Sequence, residues 1–335
     1  MIDLSSHAAI RAALAAMPGP DAAAMRAARD RDAQLTKPPG SLGRLEDLAV
    51  WYGGWRGVPR PRLTAAQIVV FAGNHGVAAQ GICAFPAEVT TQMVANFEAG
   101  GAAINQLARL AGARLDVHAL DLDRPTADFT AGPAMTEAEC CDAFARGWAA
   151  VDAGADLLVA GEMGIGNTTA AAAIAAAILG GDGWAGRGTG VDDAGLARKE
   201  AAIVRALAAN ADRTGLGALT ALGGRELAAM AGAIAGARAA RVPVILDGFV
   251  STAAALCLWA EDRGALDHCV AGHLSAEGAH GRMLDALGMT PLLSLGLRLG
   301  EGSGAALAIQ VLRGALACHS DMATFGEAGV SAGPA

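Results

Sequence analysis

The stretch LLVAGEMGIGNTTAAAAIAAAIL, residues 157–179, contains the unit on which the fold of this chain rests. A short apolar run at 157–161 is followed by a glycine-rich turn and then by an alanine-rich segment at 168–179. A short apolar run is typical of a strand buried on both faces, whereas alanine favours helix more than any other residue. The stretch therefore predicts a strand, a tight turn and a helix in succession.

The same succession recurs along most of the chain. Further apolar runs predict strands at 67–72, 115–120, 242–247 and 268–272, and helical spacing predicts helices at 88–111, 136–153, 194–209, 225–240 and 251–262. Strands that alternate with helices indicate an α/β fold, a doubly wound parallel sheet with helices on both faces. Ligands of such folds bind beyond the carboxyl ends of the strands, so a site is expected in the loops that follow them.

The N-terminal residues follow a different pattern. Residues 7–35 place Ala, Leu and Met at helical spacing and are interrupted at Pro18-Gly19-Pro20, which predicts two short amphipathic helices. The segment KPPGSLGRLE at 37–46 predicts an ordered loop that leads into another helix, because paired prolines exclude helix at its start. We expect these helices to form an addition to the main domain.

Composition excludes several classes of function. The 335 residues carry a net charge of −8, and the 25 basic residues form no run of the kind that follows a nucleic-acid backbone. The apolar stretches are too short to span a bilayer, and the first residues lack a signal-peptide pattern. The six cysteines form no CxxC pair, which argues against a zinc site or a disulfide framework. We expect a cytoplasmic protein without metal or cofactor that binds neither nucleic acid nor membrane.

The glycine-rich turn at 161–169 is the first candidate site. Its glycine amides and threonine hydroxyls come at the start of a helix, where they form a suitable cradle for a phosphate group. The turn matches neither a Walker loop nor a GxGxxG fingerprint, and a capped turn without function is an equally good interpretation. Glu162 would place a carboxylate beside the bound anion, although it also suits the helix dipole.

A second candidate site is LRLGEGSG at 297–304, which precedes a predicted helix at 305–317. A ligand can approach Glu301 closely because both of its neighbours are glycines, and this accessibility suits a general base. A cap of the following helix is the alternative role for this acid. Several other residues near predicted strand ends and loops have ordinary structural explanations as well: Lys199, Ser275, Asp247, Arg298, His75 and His273.

Seven segments together resemble the nicotinate-nucleotide:dimethylbenzimidazole phosphoribosyltransferase family. They occur in the same order over nearly the whole chain: KPPGSLGRLE (37–46), NHGV (74–77), GEMGIGNTT (161–169), GTG (188–190), DGF (247–249), GHLSAE (272–277) and LRLGEGSGAALA (297–308). The resemblance implies the doubly wound sheet in residues 61–310 and a small helical domain built from residues 1–60 and 311–335. It also implies a homodimer whose partner contributes to the site.

The resemblance assigns roles to individual residues. It makes Glu301 the general base and places Glu162 close to it. The residues that it implies for the nucleotide phosphate are Gly164, Gly166, Asn167, Thr168, Thr169, Gly188, Gly190, Lys199 and Ser275. The residues that it implies for the base pocket are Phe85, Met93 and Leu299. Two departures concern the acceptor: Asn74 stands where some relatives have Asp, and Phe85 and Met93 replace polar residues.

The implied activity is transfer of the phosphoribosyl group of nicotinate mononucleotide to 5,6-dimethylbenzimidazole. The products are α-ribazole 5'-phosphate and nicotinate, and C1' is inverted. Two alternatives remain open at this point: a related transferase that uses a purine or a phenol as acceptor, and a nucleotide-binding sensor without catalysis.

Overall fold

The computed structural model describes residues 2–331. Within them, five parallel strands form one sheet in the order β2-β1-β3-β4-β5. The strands are β1 (Ala66–Ala72), β2 (Arg114–Ala119), β3 (Leu157–Met163), β4 (Val244–Leu246) and β5 (Cys269–Ala271). This sheet confirms the predicted doubly wound architecture, and each predicted strand overlaps an observed one.

The helices cover both faces of the sheet. Their bounds are α1 (His7–Ala15), α2 (Ala22–Asp32), α3 (Arg44–Arg56), α4 (Glu88–Glu98), α5 (Ala103–Leu110), α6 (Glu137–Ala149), α7 (Asn167–Leu179), α8 (Asp193–Ala209), α9 (Gly215–Leu222), α10 (Arg225–Ala239), α11 (Phe249–Glu261), α12 (His280–Leu287), α13 (Ser303–Asp321) and α14 (Phe325–Ala328). A 3-10 turn at Gly76–Gln80 follows β1. Across residues 2–331, no helix has both the length and the hydrophobicity that a bilayer crossing requires.

The prediction of one helix over 88–111 is wrong, because this segment forms α4 and α5. Gly100 between them has a φ of +79°, a left-handed conformation that ends a helix readily only at glycine. The Asn105 side chain then accepts a hydrogen bond from the Ala102 N–H at 3.0 Å, which starts the next helix. The left-handed backbone of Gly100 and the Asn105 cap therefore divide this segment into two helices, although its apolar residues keep helical spacing.

Four strands, β1, β3, β4 and β5, contribute to two cores, one on either side of the sheet, whereas β2 contributes only to one. In β1, Val69 and Phe71 pack into the core that includes α6, α7, α10 and α11. Ile68 and Val70 pack into the opposite core, which includes α3, α5 and α13. This alternation follows from the two-residue period of a strand, and it accounts for the continuous apolar runs in the sequence.

The end of α2 and the segment that follows it contact the end of α13 and the residues just after it. Leu35 forms an isolated β-bridge with Thr324, and the Arg31 guanidinium donates to main-chain carbonyls at the end of α13. α13 continues without a break through residue 311, and α3 packs within the core of the sheet. The division into a helical domain (1–60 and 311–335) and a catalytic domain (61–310) stays a prediction.

Candidate active site

A cleft opens at the carboxyl ends of β3, β4 and β5, the edge at which a parallel sheet is expected to bind ligands. The register places Ala160, Leu246 and Ala271 side by side, so the loops that follow these residues meet. The volume of the cleft, including the part that is open to solvent, is about 670 Å³. The lining residues are 162–165, 167–168, 188–189, 247–251, 273, 275, 277 and 298–300.

The loop after β3 brings main-chain amides to one end of this cleft. Gly166 has a φ of +106°, and α7 begins at the next residue, Asn167. The cleft therefore contains the first turn of a helix whose N–H groups and positive dipole end suit an anion. Thr168 lines the cleft beside this turn, and its Oγ1 accepts a hydrogen bond from Lys199 Nζ at 3.0 Å.

Lys199 joins this turn to the loop at 186–190. Its buried ammonium also donates to the Gly186 carbonyl at 3.0 Å. Burial lowers the pKa of Lys199, and the nearby Glu277 carboxylate opposes that shift. Glu277 accepts a hydrogen bond from the Gly188 N–H at 3.1 Å, while Arg298 Nη1 donates to the Gly188 carbonyl at 2.8 Å. The loop is thus held from both sides beside a cation.

Glu162 lies in the wall of the cleft with its carboxylate near other acids. Burial raises its pKa to about 8, and the negative charges of Asp247, Glu226 and Glu301 add to the shift. The Asn167 amide donates to the carboxylate and opposes these effects. At neutral pH the Glu162 carboxyl is therefore largely protonated.

Glu301 sits in a turn in which three consecutive residues have left-handed backbone angles. Its φ is +64°, between +89° at Gly300 and +85° at Gly302. The residue is only 5% exposed, and its main chain packs against Gly161, where a Cβ would overlap with the Glu301 carbonyl. The turn that carries Glu301 therefore packs against the end of β3 next to Glu162.

Glu301 is buried and does not itself line the cleft, whereas the two residues before it, Leu299 and Gly300, do. Its Oε2 has no hydrogen-bond partner among the described residues. Burial raises its pKa, the Ile104 N–H at the start of α5 opposes this, and Asp247 adds to the rise. A buried oxygen without a donor is an unmet acceptor, which a ligand N–H can satisfy.

Asp247, which directly follows β4, holds the Glu301 turn in place. Its two carboxylate oxygens accept from the Gly302 N–H at 3.2 Å and the Ala305 N–H at 2.9 Å, so a residue distant in sequence caps α13. His273 Nε2 lies 3.6 Å from the same carboxylate. Burial raises the pKa of Asp247, and His273 opposes the rise. In the sequence, Asp247 was a lesser candidate with an ordinary structural explanation, and its position in DGF at a strand end was the signal.

The residues with implied roles divide into two groups. Those that line the cleft are Glu162, Gly164, Asn167, Thr168, Gly188, Ser275 and Leu299. Those outside the lining are Gly166, Thr169, Gly190, Lys199, Phe85, Met93 and Glu301. Among the latter, Lys199 bonds to the lining residue Thr168, Phe85 is 50% exposed, and Met93 packs against the core that includes α5 and α13. Glu277 lines the cleft without having been singled out from the sequence.

A group of potential metal donors lies elsewhere in the molecule. His7, Glu137 and Cys141 place one ligand atom each within 4.8 Å of the others, on α1 and α6. One Glu137 oxygen already accepts from the His7 N–H, and His7 Nε2 lies 2.9 Å from Thr220 Oγ1. Both contacts are ordinary capping and packing interactions, and none of the three residues lines the cleft.

The chain resembles proteins of one kind over nearly its whole length. The sequence profile described as phosphoribosyltransferase matches residues 17–330. The nicotinate-nucleotide–dimethylbenzimidazole phosphoribosyltransferase of Ruegeria pomeroyi is 68% identical over 332 residues, which are 98% of this chain and 99% of that protein. The protein of the same name from Jannaschia sp. is 66% identical over 325 residues, 96% of each chain. The crystal structure of the phosphoribosyltransferase of that name from Thermus thermophilus matches with a TM-score of 0.86 at 44% identity, covering 93% of this chain and 100% of that chain.

Proposed function

The chain belongs to the nicotinate-nucleotide:dimethylbenzimidazole phosphoribosyltransferase family, and we propose that its cleft transfers the phosphoribosyl group of nicotinate mononucleotide to 5,6-dimethylbenzimidazole. The products are α-ribazole 5'-phosphate and nicotinate, and the protein is a pentosyltransferase of cobalamin lower-ligand assembly. The observation that carries the proposal is the packing of the Glu301 turn against Gly161 and Glu162, at a cleft that also contains a helix N-terminus and Thr168 bonded to a buried lysine.

The chemistry of the substrate explains why an acid of this kind is needed. The nicotinate of the mononucleotide is bound to C1' as a cationic pyridinium, so it leaves with the bonding electron pair and needs no proton. One nitrogen of the benzimidazole attacks C1' from the opposite face while the other nitrogen loses its proton. A carboxylate that is hydrogen-bonded to this N–H orients the ring and accepts the proton. We assign this role to Glu301, whose buried Oε2 has no other donor in the described structure.

We assign the 5'-phosphate to the end of the cleft formed by the 164–169 loop and the 188–190 loop. The α7 N-terminus supplies N–H groups, Thr168 and Ser275 supply hydroxyls, and Lys199 supplies a positive charge behind Thr168. Arg298 lines the same cleft and adds a second cation. A dianionic phosphate therefore finds amides and two positive charges together.

We assign the benzimidazole to the side of the cleft bounded by Leu299. This side chain is 57% exposed and lies two residues before Glu301, and Phe85 is a further exposed apolar side chain. We propose that a second copy of the chain covers these surfaces in a cytoplasmic homodimer, with Phe85, Met93 and Leu299 facing the ring. Sedimentation at several concentrations measures the dimer, and a monomer at micromolar concentration would contradict it.

Chromatography of the products tests the function directly. Nicotinate mononucleotide and 5,6-dimethylbenzimidazole are expected to give equal amounts of nicotinate and α-ribazole 5'-phosphate. Adding a purine or a phenol in competition separates the proposed acceptor from the alternatives, since a preference for either would reassign the base site. Binding of nicotinate mononucleotide without nicotinate release in the presence of any base would show a sensor instead of an enzyme.

A further inference from the structure

A second pair of titratable residues lies directly behind the cleft. His75, from the loop after β1, is hydrogen-bonded through Nε2 to Oε1 of Glu226, the second residue of α10. Neither side chain has any exposed surface. Replacing a buried ion pair by apolar residues is often neutral or stabilising, so stability alone is a weak explanation for such a pair.

The pair occupies the position where a doubly wound sheet normally has its ligand crevice. β2 lies next to β1 toward one edge of the sheet, and β3 lies next to β1 toward the other edge. The strand order therefore reverses between β1 and β3. The loops that follow these two strands diverge and leave a crevice between them. Here the His75 and Glu226 side chains fill that crevice, and the cleft is displaced toward β4 and β5.

Glycines surround the pair on every loop that meets there. A Cβ would crowd the His75 or Glu226 side chain at each of four positions: Gly73, Gly164, Gly166 and Gly224. Two of these glycines belong to the 164–169 loop to which we assign the phosphate, and Gly164 also packs against the Gly73 carbonyl. The His75 and Glu226 side chains therefore fix the position of the 164–169 loop.

The pair also acts on Glu162 through its charge. The Glu226 carboxylate is one of three acids that disfavour ionisation of Glu162, and its Oε2 has no hydrogen-bond partner in the described residues. The charges of Asp247, Glu226 and Glu301 act on Glu162 directly, His75 is bonded to Glu226, and His273, Glu277 and Arg298 line the same cleft as Glu162. Burial and the charge of Asp247 raise the pKa of Glu162 most, and the Glu226 charge adds to this rise, which favours Glu162 over Glu301 as the carboxyl group that holds a shared proton.

We propose that His75 and Glu226 are positioning residues for the transferase: they fill the crevice between β1 and β3, support the 164–166 loop and place the Glu226 carboxylate against Gly164, two residues from Glu162. This inference rests on the function proposed above. It predicts that the active form is the one in which Glu301 is ionised and Glu162 is neutral. Activity is then lost on the alkaline side when Glu162 ionises.

The test is the pH dependence of kcat/KM for nicotinate mononucleotide in Glu226→Gln, which keeps the shape of the side chain and removes its charge. The alkaline limb is expected to move down by about one pH unit, since a nearby negative charge is lost. Glu162→Gln identifies this limb, because the limb should disappear in that variant. The matched control is Glu46→Gln, which removes an acid paired with Lys37 far from the cleft and should leave the limb unchanged.

A second measurement does not depend on turnover. In protein carrying ¹³C-labelled glutamate, the Glu162 carboxyl resonance, assigned by its absence in Glu162→Gln, is titrated with and without the Glu226 charge. A lower midpoint in folded Glu226→Gln supports the proposal, and an unchanged midpoint overturns it. If the wild-type enzyme forms no α-ribazole 5'-phosphate but the midpoint moves, the proposed function fails while the coupling between Glu226 and Glu162 stands.

Discussion

Glu301 combines two features that are unfavourable for folding. Its backbone has a φ of +64°, which costs a residue with a Cβ about 1 kcal/mol or more relative to glycine, and its buried Oε2 has no donor within residues 2–331. Both neighbours are glycines, so only the central position of the turn carries a side chain. Strain and an unmet acceptor at the same residue indicate that the carboxylate is retained for what it does to a ligand.

Removing the charge of Glu301 should reduce catalysis far more than binding. We expect Glu301→Gln to lower kcat by about 10²- to 10⁴-fold, the usual contribution of a positioned base, because glutamine cannot accept the benzimidazole proton. Calorimetry should show binding of nicotinate mononucleotide within a few-fold of wild type. Glu162→Gln should lower kcat by less, since glutamine resembles the protonated acid. Wild-type turnover by Glu301→Gln would show that Glu301 is not the general base.

The raised pKa of Glu162 predicts a pH-dependent effect on stability. Its pKa is about 8 in the folded protein against an ordinary value of 4.5, so the unfolded chain ionises first as the pH rises. This residue therefore destabilises the fold progressively between about pH 4.5 and 8. We expect Glu162→Gln to match wild type in urea unfolding at pH 5 and to be more stable by about 1–4 kcal/mol at pH 9. Equal stability of the two proteins at pH 9 would contradict this.

At the level of residues, local sequence patterns identify a functional side chain more readily than the distant residues that it contacts. Glu301 stands out because two glycines flank it, and Thr168 because it follows a glycine-rich turn. Asp247 and Glu277 do not stand out, since their importance lies in capping α13 and in holding Gly188, which belong to distant segments. Contacts of that kind depend on the register of the sheet, which is absent from local sequence patterns.

Among the structural elements, the turn at 300–302 is the one whose shape the reaction depends on most. Gly300 lies against Glu162, Gly302 lies against Val159 of β3, and Asp247 binds the first N–H groups of α13. The turn therefore connects β3, β4 and α13 at one point. A change in any of these contacts moves the Glu301 carboxylate relative to the cleft.

Alanine substitutions at two glycines of the same segment distinguish the effect of backbone strain from the effect of displacing the Glu162 carboxylate. Gly296 and Gly300 have φ values of +70° and +89°, but a Cβ at Gly296 meets nothing within 4 Å, whereas one at Gly300 overlaps with the Glu162 carboxylate. Both alanine variants should lose about 1 kcal/mol of stability. Gly300→Ala should also lose at least about tenfold in kcat, because displaced catalytic groups lower the rate steeply. Equal kcat values for the two variants would show that the contact with Glu162 is unimportant.

The elements themselves were predicted best where burial alone determines them. The strands β1, β3, β4 and β5 are buried, mainly apolar runs, and 7 of the 13 residues of α7 are alanine, so these segments have few alternatives. The boundary between α4 and α5 depends on Gly100 and on the Asn105 cap, and α9 and α12 lay in segments for which no helix was predicted. Short helices of this kind are stabilised mainly by tertiary packing, to which single-sequence periodicity is insensitive.

For the whole molecule, the sheet is the element that both cores share. The first 60 residues contribute to each core: Ile10 of α1 packs on one side, and Tyr52 of α3 packs on the other. Tyr52 also donates from its hydroxyl to the Asp156 carbonyl at 2.9 Å, just before β3. The N-terminal helices therefore stabilise the strand that leads into the 161–169 loop.

This shared core predicts that the chain unfolds in one transition that includes its N-terminal helices. Tyr52→Ala removes a fully buried aromatic ring and its hydrogen bond, and the expected loss is about 3–5 kcal/mol of unfolding free energy. Because α3 and the sheet share that core, fluorescence, circular dichroism and residual transferase activity should fall together at the same lower urea concentration. Val58→Ala is the control, since Val58 lies just after α3 but is 42% exposed and should change the midpoint little. If instead Tyr52→Ala gave an early transition that left activity intact, residues 1–60 would fold as a separate unit, and the coupling of α3 to the active-site strand would be wrong.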